Sequence, residues 1–168
     1  MADKRLYELA EQVGAALKAR ALMLVTAESC TGGWIGEAVT MVPGSSDWFE
    51  RGFITYTNTS KHEMLGVKTA TLDRHGAVSE QTVKEMAAGA LANSHAHIAV
   101  AVSGIAGPAG GTPDKPVGTV CLAWALRSGE PVAEIRRFAG DRETLRRLAV
   151  ERALAGVLDL LHPVRLKS

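Results

Sequence analysis

Residues 22–33 read Leu-Met-Leu-Val-Thr-Ala-Glu-Ser-Cys-Thr-Gly-Gly, and the rest of the chain is organised around this segment. Its first half is a short apolar run, typical of a strand that is buried on both faces. Its second half is polar and glycine-rich, and a helical pattern follows from Trp34 to Met41. A strand that turns sharply into a helix exposes the side chain at the turn, beside the free N–H groups of the helix. Ser29 stands at that turn and is therefore a candidate nucleophile.

Apolar runs and helical spacing alternate along the rest of the chain. Strands are predicted near residues 50–56, 97–102, 117–126 and 132–138. Helices are predicted near residues 3–19, 34–41 and 69–75. Another begins at a cap within residues 57–60 and ends at residue 65, and two more begin at caps at residues 79 and 141. This alternation, with two strands apolar throughout, indicates a three-layer α/β/α sandwich with a mostly parallel central sheet. The last two strands are close enough to form a hairpin, which makes the predicted sheet mixed.

The composition is that of a globular protein. The chain has 168 residues, 46% of them hydrophobic, and a net charge of +1, which predicts one domain over residues 1–168. Balanced charge argues against a nucleic-acid partner. No apolar run is long enough for a membrane span, and the charged residues 1–20 do not form a signal peptide, so we expect a cytoplasmic protein without a membrane partner. The two cysteines and five histidines lack disulfide or metal-site spacing, so we expect no metal and no other cofactor.

Three hydroxyl-bearing residues follow the ends of predicted strands: Ser29, Tyr56 and Ser103. Because ligands of such sheets bind at the carboxyl ends of the strands, we expect these hydroxyls to meet at one edge. A serine needs a base before it can attack a carbonyl carbon, and no histidine is placed to act as one. Lysine is the base in Ser-Lys enzymes, which makes Lys61 the candidate partner of Ser29.

Lys61 stands at the start of a predicted helix capped by Asn58 or by a capping box over residues 60–63. To accept a proton near pH 7, its pKa must fall by about 3 units from about 10.4. Burial, the helix N-terminus and hydrogen bonds from Tyr56 or Ser103 would lower it. The alternative is a lysine exposed to solvent on the surface.

Three neighbouring features allow more than one interpretation. Cys30 is either a rival nucleophile, since thiolates form readily near helix N-termini, or a small buried hydrophobic residue. Glu28 either orients a substrate amide or pairs with a nearby lysine or arginine. Residues 103–113, Ser-Gly-Ile-Ala-Gly-Pro-Ala-Gly-Gly-Thr-Pro, either cradle a phosphate with their N–H groups or simply connect two strands.

Five segments occur in a specific order along the chain. They are Ala-Glu-Ser-Cys-Thr-Gly-Gly at 27–33, Gly-Phe-Ile-Thr-Tyr at 52–56 with Lys61, His-Gly-Ala-Val-Ser at 75–79, Ser-Gly-Ile-Ala-Gly-Pro at 103–108 and Lys-Pro-Val-Gly-Thr-Val at 115–120. Together they resemble the CinA C-terminal domain family over roughly residues 5–160. The ordered combination is far more specific than any one segment.

The resemblance implies an amidohydrolase that converts nicotinamide mononucleotide to nicotinate mononucleotide and ammonia. It implies Ser29 as nucleophile, with Lys61, Tyr56 and Ser103 as the other catalytic residues. Threonine is common in the family where this chain has Ser103, so the hydroxyl is retained without its neighbouring methyl group. The resemblance also implies a three-layer sandwich with a mixed sheet, catalysis without a metal, and a homo-oligomer.

In the mechanism that the resemblance predicts, neutral Lys61 takes the Ser29 proton. Tyr56 and Ser103 hold the lysine in place or relay its proton. Further residues are expected to bind the substrate, from positions on either side of Ser29 or in the loop after Ser103. They are Glu28, Cys30, Thr31, Gly32, Gly104 and Gly107. The competing hypotheses are a non-catalytic nucleotide-binding module of the same fold and a cysteine amidase that uses Cys30.

Overall fold

A computed structural model describes residues 3–162 of the chain. Six α-helices and five strands occur within this range, together with a short 3-10 helix at Ser45–Asp47. In chain order they are α1 (Lys4–Lys18), β1 (Leu24–Glu28), α2 (Trp34–Thr40), β2 (Phe49–Ile54), α3 (Asn58–Leu65), α4 (Thr69–His75), α5 (Glu80–Ala92), β3 (Ile98–Gly104), β4 (Thr119–Leu126), β5 (Val132–Arg137) and α6 (Arg142–Leu161).

The strands form one sheet in the order β2-β1-β3-β4-β5. β1 pairs in parallel with both β2 and β3, whereas β4 is antiparallel to β3 and to β5. Only β4 therefore runs against the other four strands, and it forms the predicted hairpin with β5. This confirms the mixed, mostly parallel sheet.

Helices cover both faces of the sheet and complete the predicted three layers. On one face α1, α2 and α6 pack against larger side chains such as Leu24, Val100 and Leu122. On the other face α5 packs against small residues, including Ala99, Ala101 and the facing alanines of β4. Alternate residues of a strand point to opposite faces, so a continuous apolar run such as β3 serves two cores at once.

Three of the boundaries that differ from those predicted concern site residues. β2 ends at Ile54, and the capping box of α3 joins Thr57 and Ser60, so the predicted caps at Asn58 and at residues 60–63 are wrong. The capping box begins at Thr57, before the predicted caps, because the chain leaves the sheet after Ile54 and not after Tyr56 as the apolar pattern suggests. β3 continues to Gly104 because it stays paired with β4, so Ser103 lies inside the strand and not after it.

The predicted domain covers residues 1–168, but residues 1–2 and 163–168 lie outside the described residues. Between residues 3 and 162, none of the helices combines the length and apolar character that crossing a membrane requires.

Candidate active site

The turn after β1 presents Ser29 at the carboxyl edge of the sheet. The Ser29 N–H donates to Val102 O at 3.1 Å, and the Gly32 N–H donates to Ser29 O at 3.0 Å. Gly32 and Gly33 have φ values of 60° and 102°, a left-handed region that favours glycine. The two glycines therefore let the chain turn at once into α2, as the sequence predicts.

The Glu28 carboxylate holds this turn from inside the protein. It accepts hydrogen bonds from Thr31 Oγ1 at 2.6 Å, Ile35 N at 2.9 Å and Gly36 N at 3.1 Å. Glu28 is 2% exposed and Thr31 is fully buried. These bonds occupy the carboxylate and the Thr31 hydroxyl, so neither side chain is placed to bind substrate. The alternative in which Glu28 pairs with a lysine or arginine is not observed either.

Lys61 reaches Ser29 from α3. Its Nζ lies 3.0 Å from Ser29 Oγ and donates to Thr55 O at 2.8 Å. The side chain is 1% exposed, so the interpretation as a surface lysine is wrong. Burial lowers the pKa of Lys61 from its ordinary 10.5 to about 8, because an ammonium ion is costly to remove from water. The structure thus joins a buried amine of lowered pKa to the predicted nucleophile.

A cavity of about 170 Å³ opens beside this pair. Predicted site residues form much of its lining: Ser29, Cys30, Tyr56, Lys61, Ser103 and Gly104. Residues that the sequence did not single out as site residues complete it: Ala77, Val78, Ala106 and Arg142. The expectation that Ser29, Tyr56 and Ser103 meet at one edge of the sheet is therefore confirmed, although Ser103 lies inside β3 and not after it.

Tyr56 stands at the exposed side of the cavity, with 58% of its surface accessible. Its hydroxyl accepts a hydrogen bond from Arg142 Nη2 at 3.2 Å, and Arg142 Nη1 donates to Gly107 O at 2.8 Å.

Among residues 3–162, the hydrogen bonds of Lys61 Nζ go to Ser29 and to the Thr55 carbonyl. The main-chain carbonyl of Thr55, directly after β2, therefore holds the lysine, a role that was expected of the Tyr56 and Ser103 hydroxyls. Ser103 is 1% exposed and lines the cavity.

Cys30 is buried next to Ser29, and burial raises the pKa of its thiol to about 11. A thiol with that pKa is almost wholly protonated at neutral pH, which disfavours it as the nucleophile. The thiol is free, as is that of Cys121. The structure therefore favours the interpretation of Cys30 as a small buried residue that shapes the cavity wall.

Gly104 at the end of β3 and Gly107 in the loop after it have packing roles. A Cβ on Gly104 would lie 2.9 Å from Val120 Cγ2, and one on Gly107 would lie 2.4 Å from Val117 Cγ1. Gly107 also has a φ of 76°, which disfavours other residues. Of the substrate-binding glycines expected from the sequence, Gly104 lines the cavity whereas Gly107 and Gly32 lie outside its lining.

Arg142 and Thr55 are polar contributors to the site that the sequence analysis missed. Arg142 is the first residue of α6, a position where the helix dipole disfavours a cation, and this mismatch was the available signal. Thr55 contributes a main-chain carbonyl, for which side-chain patterns hold no signal. Within residues 3–162, no three His, Cys, Asp or Glu side chains come together as a ligand set for a metal ion.

A serine, a buried lysine and a cavity at the edge of a mixed α/β sheet define a hydrolase-like site, and sequence comparison places it in a family. The profile of the CinA C-terminal domain matches residues 6–161, and the chain belongs to this family. It is 54% identical over 154 residues to the nicotinamide-nucleotide amidohydrolase PncC of Escherichia coli K12, covering 92% of this chain and 93% of that protein. It is 53% identical to the Pseudomonas putida protein of the same name, covering 90% and 94%.

Solved structures agree with this assignment. The competence/damage inducible protein CihA from Agrobacterium tumefaciens superposes with a TM-score of 0.92 at 46% identity, covering 95% of this chain and 98% of that one. The competence damage-inducible protein A (ComA) from Klebsiella pneumoniae gives a TM-score of 0.89 at 42% identity, covering 94% and 98%. The three-layer mixed fold is thus shared with experimentally determined members of the superfamily.

Proposed function

We propose that this protein hydrolyses the carboxamide of nicotinamide mononucleotide to give nicotinate mononucleotide and ammonia. The relatives at 53% and 54% identity carry the name of an amidase, and this chain is an enzyme of that class. The observation that carries the mechanism is the 3.0 Å contact between Lys61 Nζ and Ser29 Oγ in a buried setting. It supports a serine nucleophile activated by a lysine base.

The reaction begins with neutral Lys61. With a pKa of about 8, about one tenth of the lysine is unprotonated at pH 7. One amine N–H donates to Thr55 O, and this leaves the lone pair free to face Ser29 Oγ. The amine takes the serine proton as Oγ bonds to the carboxamide carbon. The resulting ammonium then protonates the departing nitrogen as the C–N bond breaks, and ammonia leaves.

Water completes the cycle. Neutral Lys61 removes a proton from a water molecule that attacks the acyl carbon, and the proton returns to Ser29 Oγ as the ester bond breaks. Both tetrahedral intermediates carry an oxyanion. Ser29 N–H is already bonded to Val102 O, so the N–H groups of Cys30 and Thr31 are the donors we assign to it. Such stabilisation is worth roughly 3–4 kcal/mol in other enzymes.

The mouth of the cavity suits the rest of a mononucleotide. Arg142 and Lys61 are the charged side chains in its lining, and Arg142 is the one at the exposed side. A guanidinium binds a phosphate monoester through two parallel hydrogen bonds. We therefore place the 5′-phosphate against Arg142, beside the loop of residues 104–111. The Gly107 carbonyl of this loop accepts a hydrogen bond from Arg142 and so positions its guanidinium. Tyr56 steadies the same guanidinium.

Further parts of the proposal rest on composition and on the family resemblance. We propose a cytoplasmic homo-oligomer that acts on a small molecule, without a cofactor and without nucleic-acid or membrane partners. Gel filtration with light scattering of the purified full chain would test the oligomeric state, and a monomer would contradict it.

Ammonia release from nicotinamide mononucleotide tests the function, with a chelator present and Ser29→Ala measured in parallel. We expect release by the wild-type protein alone, because the variant has no nucleophile. Nucleotide binding without release by the wild type would favour the non-catalytic binding module. Full activity of Ser29→Ala, together with inactivation of both proteins by thiol alkylation, would favour Cys30.

A further inference from the structure

The turn that carries Ser29 is also held from outside, by a residue of α6. Arg146 Nε donates to Cys30 O at 2.9 Å, and Arg146 Nη2 donates to Thr31 O at 3.2 Å. Its guanidinium lies over the Trp34 ring, 5.5 Å from the centroid. One half-buried side chain thus binds the carbonyls of the two residues that directly follow the nucleophile.

The two carbonyls depend on Arg146 to different degrees. Thr31 O also accepts a hydrogen bond from the Trp34 N–H at 3.1 Å. Cys30 O, by contrast, accepts its hydrogen bond from Arg146, and no second donor to it occurs among residues 3–162. In a trans peptide the C=O and N–H point in opposite directions. Binding Cys30 O to Arg146 therefore points the N–H of the same peptide, that of Thr31, away from α6.

The turn is thus fixed from two sides by groups of opposite charge. Glu28 binds the Thr31 hydroxyl and two N–H groups of α2 from within the protein. Arg146 binds the carbonyls of the same turn from α6. A planar guanidinium is suited to this task because its donors are held in a rigid fork, whereas a lysine is a single point of charge.

We propose that Arg146 is a positioning residue for the reaction of Ser29, an inference that rests on the proposed function. By holding the carbonyls of Cys30 and Thr31, it keeps Ser29 Oγ against Lys61 and orients the Thr31 N–H for the oxyanion. Arg146 is not part of the cavity lining, so it acts through the turn and not on the substrate. Its loss therefore slows the chemical step without weakening substrate binding.

Arg147 offers a matched control. It is the next residue of α6 and forms ion pairs with Asp3 and Glu151, which lie away from the turn. Arg147→Met removes ion pairs from the same helix without touching the turn, so a general effect of losing an arginine from α6 would appear in both variants. A positioning effect would appear in Arg146→Met alone.

The test measures ammonia release and thermal unfolding of the full chain for Arg146→Met, Arg146→Lys and Arg147→Met. We expect kcat to fall roughly 10- to 100-fold in Arg146→Met, with KM within about twofold of wild type. Arg146→Lys should lose less, because an ammonium can replace one of the two bonds. Activity should rise with pH as Lys61 loses its proton, near pH 8, and Arg146→Met should not change the pH of this rise because Arg146 does not contact Lys61. Arg147→Met should keep the wild-type kcat.

Several results would overturn the inference. They are equal kcat values for Arg146→Met and Arg147→Met, an increase in KM that accounts for the whole loss, and a shift of the pH profile. If Arg146→Met does not fold, Arg146→Lys decides: a wild-type kcat in a folded Arg146→Lys protein overturns the inference. An inactive wild type, or a fully active Ser29→Ala, overturns the proposed function and the inference with it, so the two failures are distinguishable.

Discussion

The two sides of the cavity are built in different ways. At the inner side, Lys61 and Ser29 are 1% and 7% exposed, and the lysine is held by a main-chain carbonyl. At the outer side, Tyr56 is 58% exposed and is held by the long, flexible side chain of Arg142. Burial lowers the lysine pKa at the inner side, whereas the outer side keeps a charged guanidinium in contact with water.

Under the proposed function, this difference suits the two sides to different roles. Proton transfer needs a neutral amine and a fixed geometry, and both come from burial and from main-chain contacts. Recognition of a phosphate needs a persistent positive charge that the ligand can reach, and an exposed arginine meets that need. We therefore expect changes at the inner side to lower kcat and changes at the outer side to raise KM.

Lys61→Met is expected to have the largest effect. The variant keeps most of the length and the apolar stem of the side chain but has no base, so kcat should fall at least about 10³-fold. The control is Lys84→Met, because Lys84 is an exposed lysine of α5 away from the site. Ammonia release measures activity, and circular dichroism checks folding. A Lys61→Met protein within tenfold of wild type would show that another group is the base.

The pH dependence of kcat tests the buried amine directly. With a pKa of about 8, the neutral fraction of Lys61 rises from about one hundredth at pH 6 to about one half at pH 8. We therefore expect kcat to rise roughly 50-fold over this interval and then to level off. A profile that is flat from pH 6 to 8 would contradict the assignment of Lys61 as the base.

The same pKa shift predicts how stability depends on pH. Between about pH 8 and 10.5 the folded protein has released the Lys61 proton, whereas the unfolded chain still holds it. Stability rises with pH wherever the unfolded state binds more protons. The free energy of unfolding of wild type should therefore increase relative to Lys61→Met across this window, as measured by urea denaturation at several pH values. A constant difference would contradict the lowered pKa.

The inner side was also the more predictable of the two from sequence. The apolar run of residues 22–27, the polar residues after it and the glycines at 32 and 33 are local signals, and together they predicted the strand, the turn and the exposed serine. Lys61 was predicted because helical and strand periods place it near the same edge of the sheet. Its burial, however, depends on how α3 packs, which local patterns do not encode.

Contacts between distant segments account for most of what was missed. Thr55 O, Arg142 and Arg146 act through a carbonyl or a long side chain that crosses from one element to another. Glu28 was expected either to orient the substrate amide or to pair with a lysine or arginine. Its bonds to the start of α2 follow from the tight turn that the two glycines make, and this geometry becomes visible only in the fold.

The outer side should give the smallest effects. Arg142→Met removes the guanidinium that faces solvent at the cavity mouth, and we expect KM for nicotinamide mononucleotide to rise about 10-fold with kcat within about threefold. Tyr56→Phe keeps the ring and removes only the acceptor that steadies Arg142, so its KM should rise less than that of Arg142→Met. Steady-state kinetics of both variants measures the split between KM and kcat. If Tyr56→Phe instead lowered kcat strongly at unchanged KM, the tyrosine would belong with the inner side, as a catalytic hydroxyl that turns toward Lys61 when substrate binds.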